Sequence, residues 1–235
     1  LDTDAVYDTL RDYYAEFGLG VSTGIDLENE STGLIGADTG DPGNALDLAF
    51  GQFDTYSPIQ LNQYISTIAN GGTRYALHVL DKILAPTEDK ETAGDGATVY
   101  EYEPTVLNEL SITDEMLAEV QEGIWSVIHT STGLGNAIFA NFPIEVAGKS
   151  GTATVSDTLE NSTWAGWAPY DDPEIAISIV IPGTTPNVSV SAQAAAPNVL
   201  GLYYDIEEYQ NKVADQMAEN AEASAEEAEA LEEAQ

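Results

Sequence analysis

AGKSGTA, residues 147–153, is a run of small residues around one lysine, and it lies inside a predicted strand. Lys149 is one of only six basic residues in a chain that carries 41 acidic ones. Alternate side chains of a strand share a face, so Ser150 and Thr152 are expected to point the same way. A lone cation beside two hydroxyls is typical of a carboxylate-binding site, and Gly151 leaves room for a ligand beside the backbone. The simpler alternative is a surface lysine near a turn.

The composition of the chain excludes several classes of function. A formal net charge of −35 and a pI near 4.1 disfavour contact with nucleic-acid phosphates and with anionic lipid, so no nucleic-acid partner is expected. The absence of cysteine removes disulfides and thiolate chemistry. The two histidines, His78 and His129, lie far apart and belong to no H-E-x-x-H motif. We therefore expect no metal site and no cofactor.

The trio Gly148-Lys149-Ser150 also resembles the end of a nucleotide-binding P-loop, G-x-x-x-x-G-K-[ST]. The first glycine of that motif would have to occupy the position of Pro143. A P-loop continues into a helix, whereas the residues after Thr152 favour a strand. These two departures exclude a P-loop nucleoside triphosphatase.

Hydrophobic periodicity places most predicted helices in the first half of the chain and most predicted strands in the second. The predicted helices cover residues 6–17, 58–69, 114–128 and 192–204. The predicted strands cover residues 75–84, 145–155, 162–168 and 174–181, and the predicted loops cover residues 18–43 and 86–98. This distribution indicates an α+β fold in which helices flank an antiparallel sheet.

The last part of the chain, residues 205–235, differs in composition from the rest. It holds eleven acidic residues, one lysine and few large apolar side chains. Ala and Glu favour a helix, but a helix with no apolar face has nothing to bury, so we expect an acidic, mostly disordered tail. Residues 1–204 would then form the folded part. The longest apolar run, residues 175–181, is too short to span a bilayer, so a membrane anchor is expected upstream.

Four separated motifs resemble the transpeptidase domain of class B penicillin-binding proteins, in the order in which that family carries them. Residues 147–153 are similar to the family's K-[ST]-G signature. The other three are F-G-L-G with T-G-I-D-L at residues 17–27, G-Q…S-P-I-Q-L…A-N-G-G at residues 51–72, and W-A-G-W-A-P with P-E-I-A at residues 164–176. The resemblance covers roughly residues 5–204. It implies the C-terminal portion of a penicillin-binding/β-lactamase-like transpeptidase fold.

Two further motifs of that family are absent from this chain. No lysine follows a serine at the S-x-x-K spacing, and no asparagine follows a serine at the S-x-N spacing. In the family both motifs come before the segment that matches residues 17–27. We therefore expect the nucleophilic serine in a missing N-terminal part of the same domain, and we expect this chain alone to be inactive.

The resemblance implies a role for each residue of the K-S-G-T run. Lys149 would supply positive charge for proton transfer and for a substrate carboxylate, which the hydroxyls of Ser150 and Thr152 would bind. The backbone N–H of Thr152 would be one oxyanion donor. Gly151 would have to stay small so that the substrate can lie along the strand edge.

The resemblance also implies where such a protein works and what it contacts. Its expected substrates and ligands are peptidoglycan stem peptides and β-lactams, and its expected partners include other proteins of cell-wall synthesis. Its expected location is the extracytoplasmic face of the bacterial cell membrane. Two alternatives stay open, namely a non-catalytic penicillin-binding-like module or divisome scaffold, and a β-lactam sensor domain.

Overall fold

The computed structural model describes residues 3–37, 41–87, 94, 96–186 and 191–233. The helices in these ranges are α1 (Thr3–Glu16), α2 (Pro42–Ala49), α3 (Pro58–Ala69), α4 (Asp114–His129), α5 (Asn136–Phe139), α6 (Ala192–Tyr203) and α7 (Glu207–Glu233). The strands are β1 (Thr73–Tyr75), β2 (Lys82–Leu84), β3 (Thr98–Glu101), β4 (Val106–Glu109), β5 (Ala147–Ser156), β6 (Leu159–Ala168) and β7 (Ile175–Thr184). The predicted α+β class, with helices flanking an antiparallel sheet, is confirmed.

The main sheet consists of β5, β6 and β7 in that order, with both pairs antiparallel. These are the three strands predicted in the second half of the chain; β6 and β7 are slightly longer than predicted, and β5 starts two residues later and ends one residue later. The register places Lys149 opposite Ala165 and Gly151 opposite Thr163. The K-S-G-T run therefore lies at one side of this sheet.

The sheet is covered on both faces, and β6 supplies a buried tryptophan to each. Trp164 belongs to a cluster with Leu200 and the small residues of α6. Trp167 belongs to a second cluster with Ile65 and Ile68 of α3. Both indoles are almost completely buried. Burying a large apolar side chain contributes about 1.5–3 kcal/mol, so these two residues bind the helical layers firmly to the sheet.

The helix α3 begins where its sequence predicts, because Ser57 forms a capping box with Gln60. The Ser57 hydroxyl accepts a hydrogen bond from the Gln60 amide at 3.4 Å, and the Gln60 side chain accepts one from the Ser57 amide at 3.0 Å. Pro58 occupies the first helical turn, where its missing N–H costs nothing. Similarly, the Thr113 hydroxyl accepts from the Met116 amide at 3.3 Å and caps α4, which begins at the predicted residue.

The prediction of one strand over residues 75–84 is wrong. β1 ends at Tyr75 and pairs with β4, whereas β2 begins at Lys82 and pairs with β3. The carboxylate of Asp26 accepts hydrogen bonds from the amides of Val79 and Leu80, at 2.8 and 3.0 Å. These amides are therefore held by a side chain rather than by a neighbouring strand.

Two predicted loops also differ from the structure. The helix α2 begins at the end of the region predicted as loop over residues 18–43, with Asp41 as its N-cap. β3 begins within the predicted loop over residues 86–98. Within that second loop, residues 88–93 and residue 95 lie outside the described residues.

The acidic tail differs from the expectation of disorder, because Glu207–Glu233 form α7. Ala and Glu are strong helix formers, and this preference outweighs the lack of a broad apolar face. The start of the helix is also anchored. The buried Tyr209 ring packs edge-to-face on Phe142 at 5.3 Å and rests on Gly201, where a Cβ would lie only 2.4 Å from the tyrosine side chain.

None of the helices in the described ranges is long and apolar enough to cross a bilayer.

Candidate active site

All four residues predicted for the site, Lys149, Ser150, Gly151 and Thr152, lie in β5. One edge of β5 pairs with β6, and no strand in the described part of the chain pairs with its other edge. An unpaired strand edge presents backbone N–H and C=O groups to an incoming peptide. β5 is therefore placed to bind an extended ligand beside these four residues.

A cavity of about 230 Å³ lies between this strand and the helices α3 and α4. Its sheet side is lined by residues 149–151 of β5 and residues 163–165 of β6. Its helix side is apolar and is lined by Leu61, Tyr64, Ile65 and Ile124. A few polar groups facing an apolar wall are typical of a small-molecule or peptide site.

Lys149 is the cation of this cavity, and its side chain is exposed. Its ammonium group donates a hydrogen bond to the backbone carbonyl of Ser150. No carboxylate in the described ranges lies within ion-pair distance of it. In a strongly acidic chain this lysine therefore offers its charge to an anionic group from outside.

The glycines of β5 lie where a side chain would collide with β6. A Cβ on Gly151 would lie 2.6 Å from the hydroxyl oxygen of Thr163, and a Cβ on Gly148 would lie 2.2 Å from the ring of Trp164. The Thr163 hydroxyl itself donates to the Gly151 carbonyl at 3.2 Å. Sequence reasoning missed Thr163 because only the strand register shows that it stands opposite Gly151.

Residues 3–201 of this chain match the family model described as "Penicillin binding protein transpeptidase domain". The chain belongs to this family. It is 38% identical over 244 residues to penicillin-binding protein 2A of Bacillus subtilis (strain 168), a match that covers 94% of this chain and 33% of that protein. It is 24% identical over 201 residues to the peptidoglycan D,D-transpeptidase MrdA of Haemophilus influenzae, covering 74% of this chain and 29% of that protein.

The solved structures show the same relationship. Penicillin-binding protein 2B from Streptococcus pneumoniae (strain R6) superposes with a TM-score of 0.76 and 33% sequence identity, covering 86% of this chain and 33% of that chain. The chain thus spans about one third of the length of the relatives that it matches. It corresponds to the C-terminal part of a penicillin-binding protein transpeptidase domain.

In this transpeptidase domain, α4 holds the start of β5 through two side chains. The Trp125 indole donates to the Glu145 carboxylate at 2.7 Å, and His129 Nε2 lies 2.8 Å from the Val146 carbonyl oxygen. The rings of Trp125 and His129 stack on each other at 4.6 Å. No partner of His129 could be identified from the sequence. In the structure it holds the segment that leads into β5.

Two carboxylates hold the loop that matches the family's T-G-I-D-L segment. Hydrogen bonds from the amides of Leu80 and Val79 keep the pKa of Asp26 below its ordinary value. Burial acts to raise the pKa of Glu30, but hydrogen bonds from Ser22 and Thr23 outweigh it, and the pKa of Glu30 is lowered. Both groups therefore stay ionised and keep the loop in place.

Arg74 has neutral hydrogen-bond partners, although the chain is strongly acidic. Its guanidinium donates to the side chains of Asn108 and Gln63 and to the carbonyl of Ser22, at 2.6, 3.3 and 3.2 Å. Burial lowers its pKa. It joins β1 to β4 and to the loop before Gly24.

Proposed function

We propose that this chain forms one wall of the active site of a peptidoglycan D,D-transpeptidase, which cross-links cell-wall stem peptides by serine acyl transfer and binds β-lactams. One observation carries the proposal: β5 presents Lys149, Ser150, Gly151 and Thr152 along an unpaired strand edge beside an apolar cavity. The family membership and the D,D-transpeptidase name of a 24% identical relative agree with it.

The proposed reaction is an acyl transfer in two steps. The oxygen of a serine attacks the carbonyl carbon between the two terminal D-alanines of a stem peptide. The peptide C–N bond breaks, and the terminal D-alanine leaves with a proton on its nitrogen. An amine of a neighbouring stem then attacks the acyl-enzyme, forming the cross-link and releasing the serine with its proton. A β-lactam enters the same first step and stays at the acyl-enzyme stage.

The residues of β5 stabilise this chemistry by position and charge. The Lys149 ammonium attracts the substrate carboxylate and supplies positive charge for proton transfer. The Ser150 and Thr152 hydroxyls donate hydrogen bonds to that carboxylate. The Thr152 N–H donates to the oxyanion of the tetrahedral intermediate, and one such donor contributes about 3 kcal/mol to the transition state.

The nucleophile belongs to a different segment in this proposal. No lysine of this chain stands in an S-x-x-K motif and no asparagine in an S-x-N motif. The N-terminal part of the same domain would supply both motifs and complete the active site, and this chain without it would be inactive. We place the complete protein at the extracytoplasmic face of the bacterial membrane, held by an upstream anchor and acting with other cell-wall synthesis proteins.

The test uses fluorescent penicillin and the full-length protein that contains this chain. We expect covalent labelling of the wild type and a loss of at least about 100-fold in the labelling rate for Lys149→Gln, because the β-lactam carboxylate loses its cation. Lys82→Gln is the matched control, since it removes an exposed strand lysine outside the cavity, and its labelling rate should match that of the wild type.

A full-length protein that is not labelled by penicillin would contradict the proposed enzyme activity and favour the non-catalytic module or scaffold. Labelling without release of D-alanine from a stem peptide would favour the sensor.

A further inference from the structure

The small sheet formed by β2 and β3, the β2–β3 ribbon, stands apart from the main sheet. Its strands pair antiparallel with each other, with Ile83 opposite Tyr100, and within the described ranges neither strand has a second neighbour. A two-stranded ribbon is marginally stable by itself and gains stability from a third strand or from packing. Both outer edges of the ribbon therefore present backbone groups that a further strand can use.

Three side chains of the ribbon are apolar and exposed. Ile83 and Tyr100, neighbours across the two strands, are 46% and 45% exposed, and Val99 is 68% exposed. Val79 and Leu80, which lead into β2, are 64% and 43% exposed. The Ile83–Tyr100 pair on one face of the ribbon is therefore apolar surface that burial against a partner would stabilise.

An aromatic groove lies at the base of the ribbon. It has a volume of about 420 Å³ and is lined by Tyr75, Ala76, Leu77, His78, Tyr102 and Pro104. The rings of His78 and Tyr102 stack with centroids 3.5 Å apart and planes 16° from parallel. A flat stacked pair at a groove offers an aromatic face to a planar cation such as a guanidinium.

The charges around the ribbon and the groove are mostly negative. Asp26 binds the amides of Val79 and Leu80, and Glu103 lies between two residues that line the groove. Asp81 and Glu101 flank the strand ends, and Lys82 is the one basic residue of β2 and β3. A second copy of this acidic chain would be repelled from this surface, and so would anionic lipid. The charge selects a cationic occupant.

We propose that the β2–β3 ribbon and its groove bind an extended, cationic segment of a partner protein. The segment adds a third strand to the ribbon, its alternate apolar side chains cover Ile83 and Tyr100, and one of its arginines stacks on the rings of His78 and Tyr102. Main-chain hydrogen bonds to the strand edge supply affinity, and the apolar and acidic surroundings supply selectivity. A strand added along the three or four residues of a ribbon strand forms a small interface, so we expect weak, transient binding.

The experiment measures fluorescence anisotropy with the full-length protein and a labelled peptide, Arg-Val-Arg-Ile-Arg-Val-Arg-Ile. The matched probe replaces each arginine with glutamate. We expect the cationic peptide to bind in the micromolar range, with at least fivefold weaker binding on raising the salt from 50 to 300 mM, as charge attraction requires. The glutamate peptide should show no binding.

Any cationic peptide is attracted to a chain this acidic, so binding alone does not show where the peptide lies. Variants of the ribbon and of the groove locate it. Tyr100→Ser should weaken binding at least tenfold. Glu103→Gln, which removes one charge at an exposed position, should weaken it about threefold. Leu134→Ser is the control, since Leu134 is 77% exposed in a different loop, and its affinity should be unchanged.

Each outcome of these experiments either supports or overturns the proposal. Equal affinity of the Tyr100→Ser and wild-type proteins for the peptide would place the peptide elsewhere on the acidic surface and overturn the proposal. Absence of binding, together with slow amide exchange of residues 98–101 in the unbound protein, would show that an upstream segment of the same chain already covers the ribbon, and would also overturn it. Slowed exchange of residues 98–101 only when the cationic peptide is present would support the added strand.

Discussion

At the scale of single residues, the proposed site requires that Gly151 has no side chain. The residue stands opposite Thr163 in the register, and the Thr163 hydroxyl donates to its carbonyl. Nothing in the backbone conformation of Gly151 demands glycine, because its φ is not in the left-handed region. Glycine is required because there is no space for a side chain between β5 and β6. A larger residue would therefore displace β5, the strand that carries Lys149.

Gly151→Ala in the full-length protein should slow acylation by fluorescent penicillin about 100-fold. The new Cβ would lie 2.6 Å from the Thr163 hydroxyl oxygen, and the shift that relieves this contact displaces β5 from the ligand. Gly123→Ala is the matched control, because a Cβ there meets nothing within 4 Å. An unchanged rate for Gly151→Ala would remove Gly151 and the β5 edge from the proposed site.

Site residues and helix caps could be predicted from the sequence where they depend on residue type and local spacing. The sequence itself shows a lone lysine with two hydroxyl residues and two glycines, and it shows the cap residues Ser57 and Thr113. The partners that depend on register were not readable. Thr163 opposite Gly151, and Val146 beside His129, meet only after the chain folds back on itself.

At the scale of elements, the main sheet and the helices that cover it could be predicted from hydrophobic periodicity and from helix-capping residues. The strands β5 to β7 alternate or run apolar between clear turn residues, and α3 and α4 carry their own start signals. The short strands β1 to β4 carry no such pattern, because three or four residues are too few to show one. The Asp26 side chain binds the backbone amides of Val79 and Leu80, so the segment 75–84, which was predicted as one strand, is interrupted there.

The capping box of α3 permits a test at this scale. Ser57→Ala removes the hydroxyl that accepts from the Gln60 amide, and should lower the free energy of unfolding by about 1 kcal/mol. Thermal unfolding of the full-length protein followed by circular dichroism measures the change. Ser57→Thr keeps a capping hydroxyl and should stay close to the wild type. An equal loss in both variants would show that the cap hydrogen bond is not what stabilises this end of α3.

At the scale of the whole molecule, the described chain leaves a large apolar surface open. A second cavity, of about 450 Å³, lies among α1, α2, α3 and α4, and its lining includes Tyr14, Phe17, Phe50 and Tyr64. Phe50 is 70% exposed. Aromatic surface of this extent favours burial against another segment.

We therefore expect the 235-residue chain, produced by itself, to associate or precipitate rather than to behave as a stable monomer. Sedimentation velocity and thermal unfolding of the isolated chain measure this directly. The full-length protein at the same concentration is the control, and it should sediment as one species. A monomer of the isolated chain that unfolds in one cooperative step would contradict the expectation.

The two tryptophans on opposite faces of β6 have an optical consequence. Trp164 is sealed by α6 and Trp167 by α3, so the emission of each indole reports on a different layer of the molecule. Trp125 is only half-buried and stacks on His129 at 4.6 Å, so its emission would overlap that of the two buried indoles. With Trp125 and either sheet tryptophan replaced by phenylalanine, a red shift of the remaining indole marks the moment at which water enters that layer. Tryptophan fluorescence can then measure separately the rates at which the two helical layers detach from the sheet during unfolding.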